Sequence, residues 1–437
     1  MFRDRSPRPR ISQRRTAPVF PAITLLLIAT AAGVVAPSAS AMRAPAPRAL
    51  SGADIVTMWN AVAVDTVVVD AGKANVEAFY WFAIEQAAVY NAVVGITGRF
   101  ELYRWDVTGP STASQNAAAA KAAHTILLHY FPASEVRLDT ALAASLDSVP
   151  GGTAKREGMR YGRLAARHII DVRRNDGYGA PIPFDKPLAP GVWRPTPPTF
   201  TPFFGTWLSE LEPFMLDSPE QFRPPAPPGL RTDIYTEDFH EVKAFGRATD
   251  SARTPKQTET AMFFSDVGIV PLQAGLRDLI ERRGMDVSEA ARLLAAVDMS
   301  IADTAITVWD SKLHYGYWRP VTAIELAADD GNPATVAEAG WTPLLTNPPY
   351  PEYASGLNGT IGSSARVLRR LTGGVDLVLT STAAGVTRHY TSEAWITGDA
   401  IDSRVWSGIH FRTADEVAIR MGRKVADWAM DRYFHQR

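Results

Sequence analysis

Residues 180–230 permit neither a helix nor a central strand. Pro195, Pro197, Pro198, Pro202, Pro224, Pro225, Pro227 and Pro228 fall within this stretch, and each proline fixes φ and removes a backbone donor. Trp193, Phe200, Phe203, Phe204, Trp207 and Phe214 are interleaved with them. A solvated tether would not carry so much apolar surface. The segment therefore reads as an ordered loop lying across a folded body, either shaping a pocket mouth or serving only as a structural strap.

The sequence on both sides is helical in pattern. In residues 76–96, Phe79, Ala83, Ala87 and Tyr90 form one apolar stripe, the spacing of an amphipathic helix. Residues 117–130 and 154–174 predict two more helices, the second stopped by Asn175-Asp176-Gly177. Beyond the proline-rich stretch, helices are predicted over 232–245 and 254–264. Another starts near Ser288, where Asp286-Val287-Ser288-Glu289 forms a capping box, and runs past Trp309. No useful length alternates with period two, so no sheet is expected and the fold class is all-α.

Residues 1–41 read as a signal peptide. Arg3, Arg5, Arg8, Arg10, Arg14 and Arg15 precede an apolar run over 23–35, and Ala39-Ser40-Ala41 supplies a small-x-small cleavage site. The run is short for a membrane span, so export to the periplasm or beyond, with no stable span after cleavage, is the expectation. Arg14-Arg15 also permits twin-arginine export. Residues 42–51 form a linker, 52–230 an N-terminal helical region with the strap, and 231–437 a second helical domain.

The 437-residue chain has a formal charge of -1, too balanced for a phosphate-backbone partner, so no nucleic acid is expected. It contains no cysteine. That excludes disulfides and thiolate chemistry, and it suits a protein that meets peroxide. Many exported proteins lack cysteine for no such reason.

The chemistry concentrates between Lys312 and His410. Lys312 and Arg319 are seven residues apart, nearly two helical turns, so on one helix they would share a face, with Pro320 ending it. Two stacked cations make sense around an anion. Tyr353-Ala354-Ser355-Gly356 offers a hydroxyl and an unobstructed backbone N–H, Arg404 a planar fork, and His410 an imidazole. Each signal alone is weak, and their order and spacing together are specific.

That three-part pattern resembles the signature of the vanadium haloperoxidase and type 2 phosphatidic acid phosphatase superfamily. Gly191-Val192-Trp193-Arg194-Pro195, Trp318-Arg319-Pro320-Val321-Thr322-Ala323-Ile324, Tyr350-Pro351-Glu352-Tyr353 and Gly408-Ile409-His410-Phe411-Arg412 are similar to its bacterial haloperoxidase branch over roughly residues 52–435. The resemblance implies two four-helix bundles with the anion site in the C-terminal one. It implies vanadate as cofactor, or phosphate in the same place, held by Lys312, Arg319, Ser355, the Gly356 N–H and Arg404, with His410 as ligand to the vanadium. Lys312, His410 and Asp303 would be catalytic, Asp303 by pairing with the motif arginine. Tyr350 would line the halide side. Hydrogen peroxide, a halide and a small organic substrate are the implied partners, and a homo-oligomer is compatible with them.

The resemblance breaks at one position. In the family a histidine acting as acid/base follows the Ser-Gly pair, and here the residue is Leu357, which transfers no proton. His314 should point away from the lysine, and His389 is an unsupported stand-in. The readings are a haloperoxidase-like protein with weakened activity, a phosphate-monoester hydrolase or other non-redox enzyme using the same cage, and a non-catalytic anion-binding paralogue.

Overall fold

The computed structural model describes residues 52–437, and the expected signal peptide and linker lie outside them. The described residues, 52–437, fall within one compact unit. In chain order its helices are α1 (Gly52–Val64), α2 (Asn75–Thr97), α3 (Gln115–Tyr130), α4 (Glu135–Asp147), α5 (Thr153–Val172), α6 (Asp233–Phe245), α7 (Pro255–Asp266), α8 (Ile269–Arg283) and α9 (Val287–Tyr315). Then follow α10 (Pro320–Glu325), α11 (Gly356–Thr372), α12 (Glu393–Trp406) and α13 (Arg412–Arg432). The fold is the expected helical one.

One group is built from α1, α2, α3 and α5, and the other from α9, α11, α12 and α13. The long α9 serves both groups, packing on α2 from one side and on α11 from the other. Its start is the predicted box: Asp286 accepts from Ser288 and Glu289 N–H, and Glu289 answers the Asp286 N–H. The α11–α13 crossing is closest at Gly422, where a Cβ would sit on the Gly359 carbonyl oxygen. That crossing fixes where the Ser355 end of α11 lies relative to the His410 end of α13. Gly52–Asp70, which is α1 continued by a π turn, is long and apolar enough to cross a membrane, and half of it is buried. Ile55, Val56 and Trp59 lie in the core.

Two sequence expectations are corrected. The region after α11 holds an antiparallel hairpin, β1 (Leu377–Ser381) with β2 (Val386–Tyr390), pairing Leu377 with Tyr390 and Ser381 with Val386. Five-residue strands are too short for period-two reading to stand out from noise. Lys312 and Arg319, moreover, do not share a helix. The α9 helix stops at Tyr315 with Gly316 at φ 59°, and Arg319 caps α10, whose first residue is Pro320. A left-handed residue suits glycine. Pro320 starts a helix and does not end one.

The proline-rich stretch is ordered and holds only one short 3-10 turn, Thr206–Glu210. It clamps the motif loops through backbone bonds: Trp193 N–H donates to Gly316 O (2.7 Å) and Trp318 N–H to Gly191 O (3.0 Å). The Tyr315 and Tyr353 hydroxyls donate to Pro224 O (2.6 Å) and Pro225 O (2.8 Å). Carbonyls left without a helix partner thus become acceptors for the site's own scaffold.

Between α2, α8 and α9 lies a buried carboxyl pair. Asp298 accepts from Gln273 Nε2 at 2.5 Å, while its Oδ2 and both oxygens of Glu85 have no hydrogen-bond partner. Burial raises Asp298 to about 7. The native state therefore holds a proton that the unfolded chain releases near pH 4, so stability present below pH 4 is lost as pH rises through about 7. Asp298→Asn, which keeps the acceptor for Gln273, is expected to flatten this loss by a few kcal/mol, on the order of 1.4 kcal/mol per pH unit between those limits. Denaturant midpoints at pH 5 and 8 measure it. Equal pH slopes for the two proteins would contradict the account.

Candidate active site

The tertiary structure brings the separated motifs together at the junction of α9, α11 and α13. Arg319 is fully buried at the start of α10. Its Nε donates to Tyr350 O (3.0 Å) and its Nη1 to Ile409 O (2.7 Å), and the same Nη1 lies 3.1 Å from His410 Nε2. A guanidinium only donates, so Nε2 of His410 faces it with its lone pair. The proton then sits on Nδ1, which lies 2.8 Å from Glu352 Oε1. Glu352 Oε1 also accepts the Phe411 N–H at 3.0 Å. This tautomer follows from the partners, and burial beside Arg319 and Lys312 keeps the imidazole neutral by lowering its pKa.

Lys312, in the last turn of α9, is fully buried and donates to Pro351 O (2.6 Å) and Glu352 O (3.0 Å). Burial and then Arg319 pull its pKa well down, a cost that an anion between the two cations would offset. Both cations also lie over the Tyr350 ring, at 5.0 Å for Lys312 Nζ and 5.1 Å for the Arg319 guanidinium carbon. Tyr350 packs on Trp309 with ring centroids 4.9 Å apart. Burial drives Glu352 the opposite way, up to about 8. Burial thus works against the charged forms of Lys312 and Glu352 alike, whereas Arg319 drops only to about 10 and stays a cation.

Ser355 caps α11 and Gly356 is its first residue, so the Gly356 N–H has no intrahelical acceptor. Beneath it Asn358 Nδ2 donates to Asp415 Oδ1 at 2.8 Å. Asp415, fully buried in the first turn of α13, has its pKa raised well up by burial, against the pull of Ser355 and Arg404. Arg404 comes from the last turn of α12. Among the described residues its Nη1 donates to Phe264 O, at 3.4 Å.

A cavity of about 130 Å³ opens onto His410, Arg404 and Gly356. Leu357 lies on its wall, half-buried, with Val76, Phe79, Leu272 and Leu379. Among the described residues, no histidine other than His410 lines it. His314 is exposed, edge-on to Tyr315 (4.7 Å), and points away as expected. His389 sits on the hairpin with Nε2 2.6 Å from Asp376, which rules it out as a stand-in. No residue of the proline-rich stretch lines the cavity, so that stretch acts there as a strap.

Asp303 is a further correction. Its carboxylate accepts the N–H groups of Phe214 (2.6 Å), Met215 (2.7 Å) and Leu216 (3.1 Å). It anchors the strap to α9 and pairs with neither motif arginine. Asp415 is the acid that faces Arg404. Glu352 and Asp415 escaped sequence reading. The available signal for Glu352 was its position between Pro351 and Tyr353 inside a quoted motif, and for Asp415 there was none beyond lying five residues past His410.

The fold is similar to the helical bundles of vanadium haloperoxidases. Residues 292–436 match the VCPO second helical-bundle domain. A vanadium chloroperoxidase of Curvularia inaequalis is 26% identical over 236 residues, 46% of this chain and 35% of that protein. The match thus spans about a third of the relative's length. A bacterial vanadium-dependent iodoperoxidase superposes with a TM-score of 0.75 at 22% identity, over 90% of this chain and 98% of that one. A holo bacterial vanadium-dependent chloroperoxidase gives 0.65 at 16% identity, over 84% and 93%. At those identities the structures share the fold. The family model thus matches the C-terminal part of the chain, residues 292–436.

Proposed function

We propose that the protein binds vanadate in this cage and oxidises halide with hydrogen peroxide, at a turnover weakened by Leu357. The carrying observation is the pair of buried donors without partners: Arg319 Nη2 and Arg404 Nε bond to nothing among the described residues. A buried unpaired donor costs about 1–3 kcal/mol, so two of them on one site fit an oxyanion that takes both. Arg319, Lys312, Arg404, Ser355 and the Gly356 N–H would hold the oxygens, and His410 Nε2 would offer its lone pair to the vanadium. The bound vanadate would supply a centre at which peroxide is activated for two-electron oxidation of halide.

The chain's own residues do the rest. Fixed cations and a helix N-terminus carry the oxyanion's charge without reorganising when charge develops. Glu352 holds the imidazole turned so that Nε2 faces the cage, and the apolar cavity wall keeps water from the far side. The step left without a residue is proton transfer, since Leu357 stands where an acid would act. The basic and apolar N-terminus supports export to the periplasm or the exterior.

Vanadate titration followed by dye halogenation with peroxide and iodide or bromide tests the proposal. The expected result is one saturable vanadate site and halogenation about 10²–10⁴-fold slower than a cage with a positioned acid would give. Vanadate binding with hydrolysis of p-nitrophenyl phosphate and no halogenation would move the assignment to phosphoester hydrolysis. Binding with neither activity would leave an anion-binding paralogue, and failure to bind either anion would overturn the cage.

A further inference from the structure

The geometry points to a ring-binding subsite beside the cage: the cavity takes one benzene-sized apolar ring of an organic ligand. As a statement about substrate this rests on the haloperoxidase reading, and as a statement about binding it stands alone. Its first support is size. The cavity's volume of about 130 Å³ is close to the ~150 Å³ apolar cavity that stays dry and admits benzene in another protein.

The second support is the asymmetry of its lining. Beside the cage groups His410, Arg404 and Gly356, the lining is mostly carbon, with Asn75, Ser265 and Thr360 as its other polar side chains apart from the aromatic Trp309 and Tyr350. Phe79 comes from α2, Leu272 from α8, Leu379 from β1 and Leu357 from α11. A small hydrated halide gains little from so many carbon contacts, whereas a ring gains in proportion to the area it buries. Few polar groups in an apolar concavity is the ordinary composition of a site for a small organic molecule.

Leu357 lines the cavity together with the cage groups. An imidazole at this position would place a polar group in the wall between cage and cavity, and the isobutyl group makes that wall apolar instead. The same residue that removes an acid therefore extends the surface on which a ring can lie, next to where an oxidant would form. Asn75 also lines the cavity, with its Oδ1 accepting the Ile269 N–H at 3.4 Å, so a polar substituent on the ring would have an amide within the lining to meet.

The test is a ¹⁹F NMR titration of the whole protein, without vanadate, using fluorobenzene. One saturable site is expected, and Phe79→Ser and Leu357→Gln should each weaken binding by about tenfold or more. 2-Fluoroethanol, which has no ring, should not saturate. Non-saturable partitioning would overturn the subsite, and so would unchanged affinity in both variants at unchanged thermal midpoints. Vanadate titration of the same sample separates the two proposals: fluorobenzene can fail while vanadate binds, and the reverse.

Discussion

Leu357→His is expected to raise the halide-oxidation rate of the vanadate-loaded protein by about 10²–10⁴-fold, the usual contribution of a positioned general acid. Residue 357 lies in the first turn of α11, on the cavity wall shared with His410, Arg404 and Gly356, so an imidazole there needs no backbone movement to reach the cage. The gain should appear in turnover and leave vanadate affinity much as it was, because Leu357 holds no oxygen. The sign with pH is fixed by the role. An imidazole acting as acid works protonated, so the gain should shrink as pH rises through about 6.5. Replacing an apolar wall residue should also cost roughly 1–3 kcal/mol of stability, visible as a lower denaturant midpoint. An unchanged rate with vanadate bound would mean that position 357 does not face the reacting oxygen.

Glu352→Gln is expected to weaken vanadate binding about 10–100-fold, the typical cost of removing the carboxylate behind a metal-ligating imidazole. The amide oxygen can still accept the Phe411 N–H, so the fold should survive. What is lost is the carboxyl acceptor for His410 Nδ1–H, with Oε1 2.8 Å away. Without it the ring is free to turn or to exchange tautomer, and its Nε2 lone pair becomes less basic. Vanadate titration measures the affinity, and the ¹⁵N shifts of His410 in the vanadate-free variant report the tautomer independently. Full affinity with a retained tautomer would reduce Glu352 to a packing residue.

The structure explains which parts of this site were legible in sequence. Lys312, Arg319, Ser355, Gly356, Arg404 and His410 were legible because spacing and residue type carry over when their segments keep their order. Five of the six meet on one cavity or in direct contact: Arg319 touches His410 and shares Tyr350 with Lys312, while Arg404, Gly356 and His410 line the cavity. Ser355 precedes Gly356 at the cap. The reason first assigned to Lys312 and Arg319 was nonetheless wrong in mechanism. They converge through Gly316 and a loop, and not along a helix face.

The acids were where sequence reading failed. Asp303 looks like an arginine partner by position, yet three backbone N–H groups of the strap take its carboxylate. Which acid faces which cation depends on chain crossings that no local pattern encodes. The hairpin shows the same limit: β1 is five residues long, and its Leu379 becomes part of the cavity wall only because α8 packs against it.

By itself the sequence determined the helical class, the proline-rich strap, the cations and histidine that gather at the site and the apolar residue at Leu357, since each is a property of residue type and spacing along the chain. Only the tertiary structure decided that Glu352 fixes His410, that Asp415 stands where Asp303 was expected, and that Leu357 lines a largely apolar cavity with His410 and Arg404. Those depend on distances between residues far apart in sequence, set by helix crossings such as Gly422 on Gly359, where close packing and not local propensity selects the neighbours.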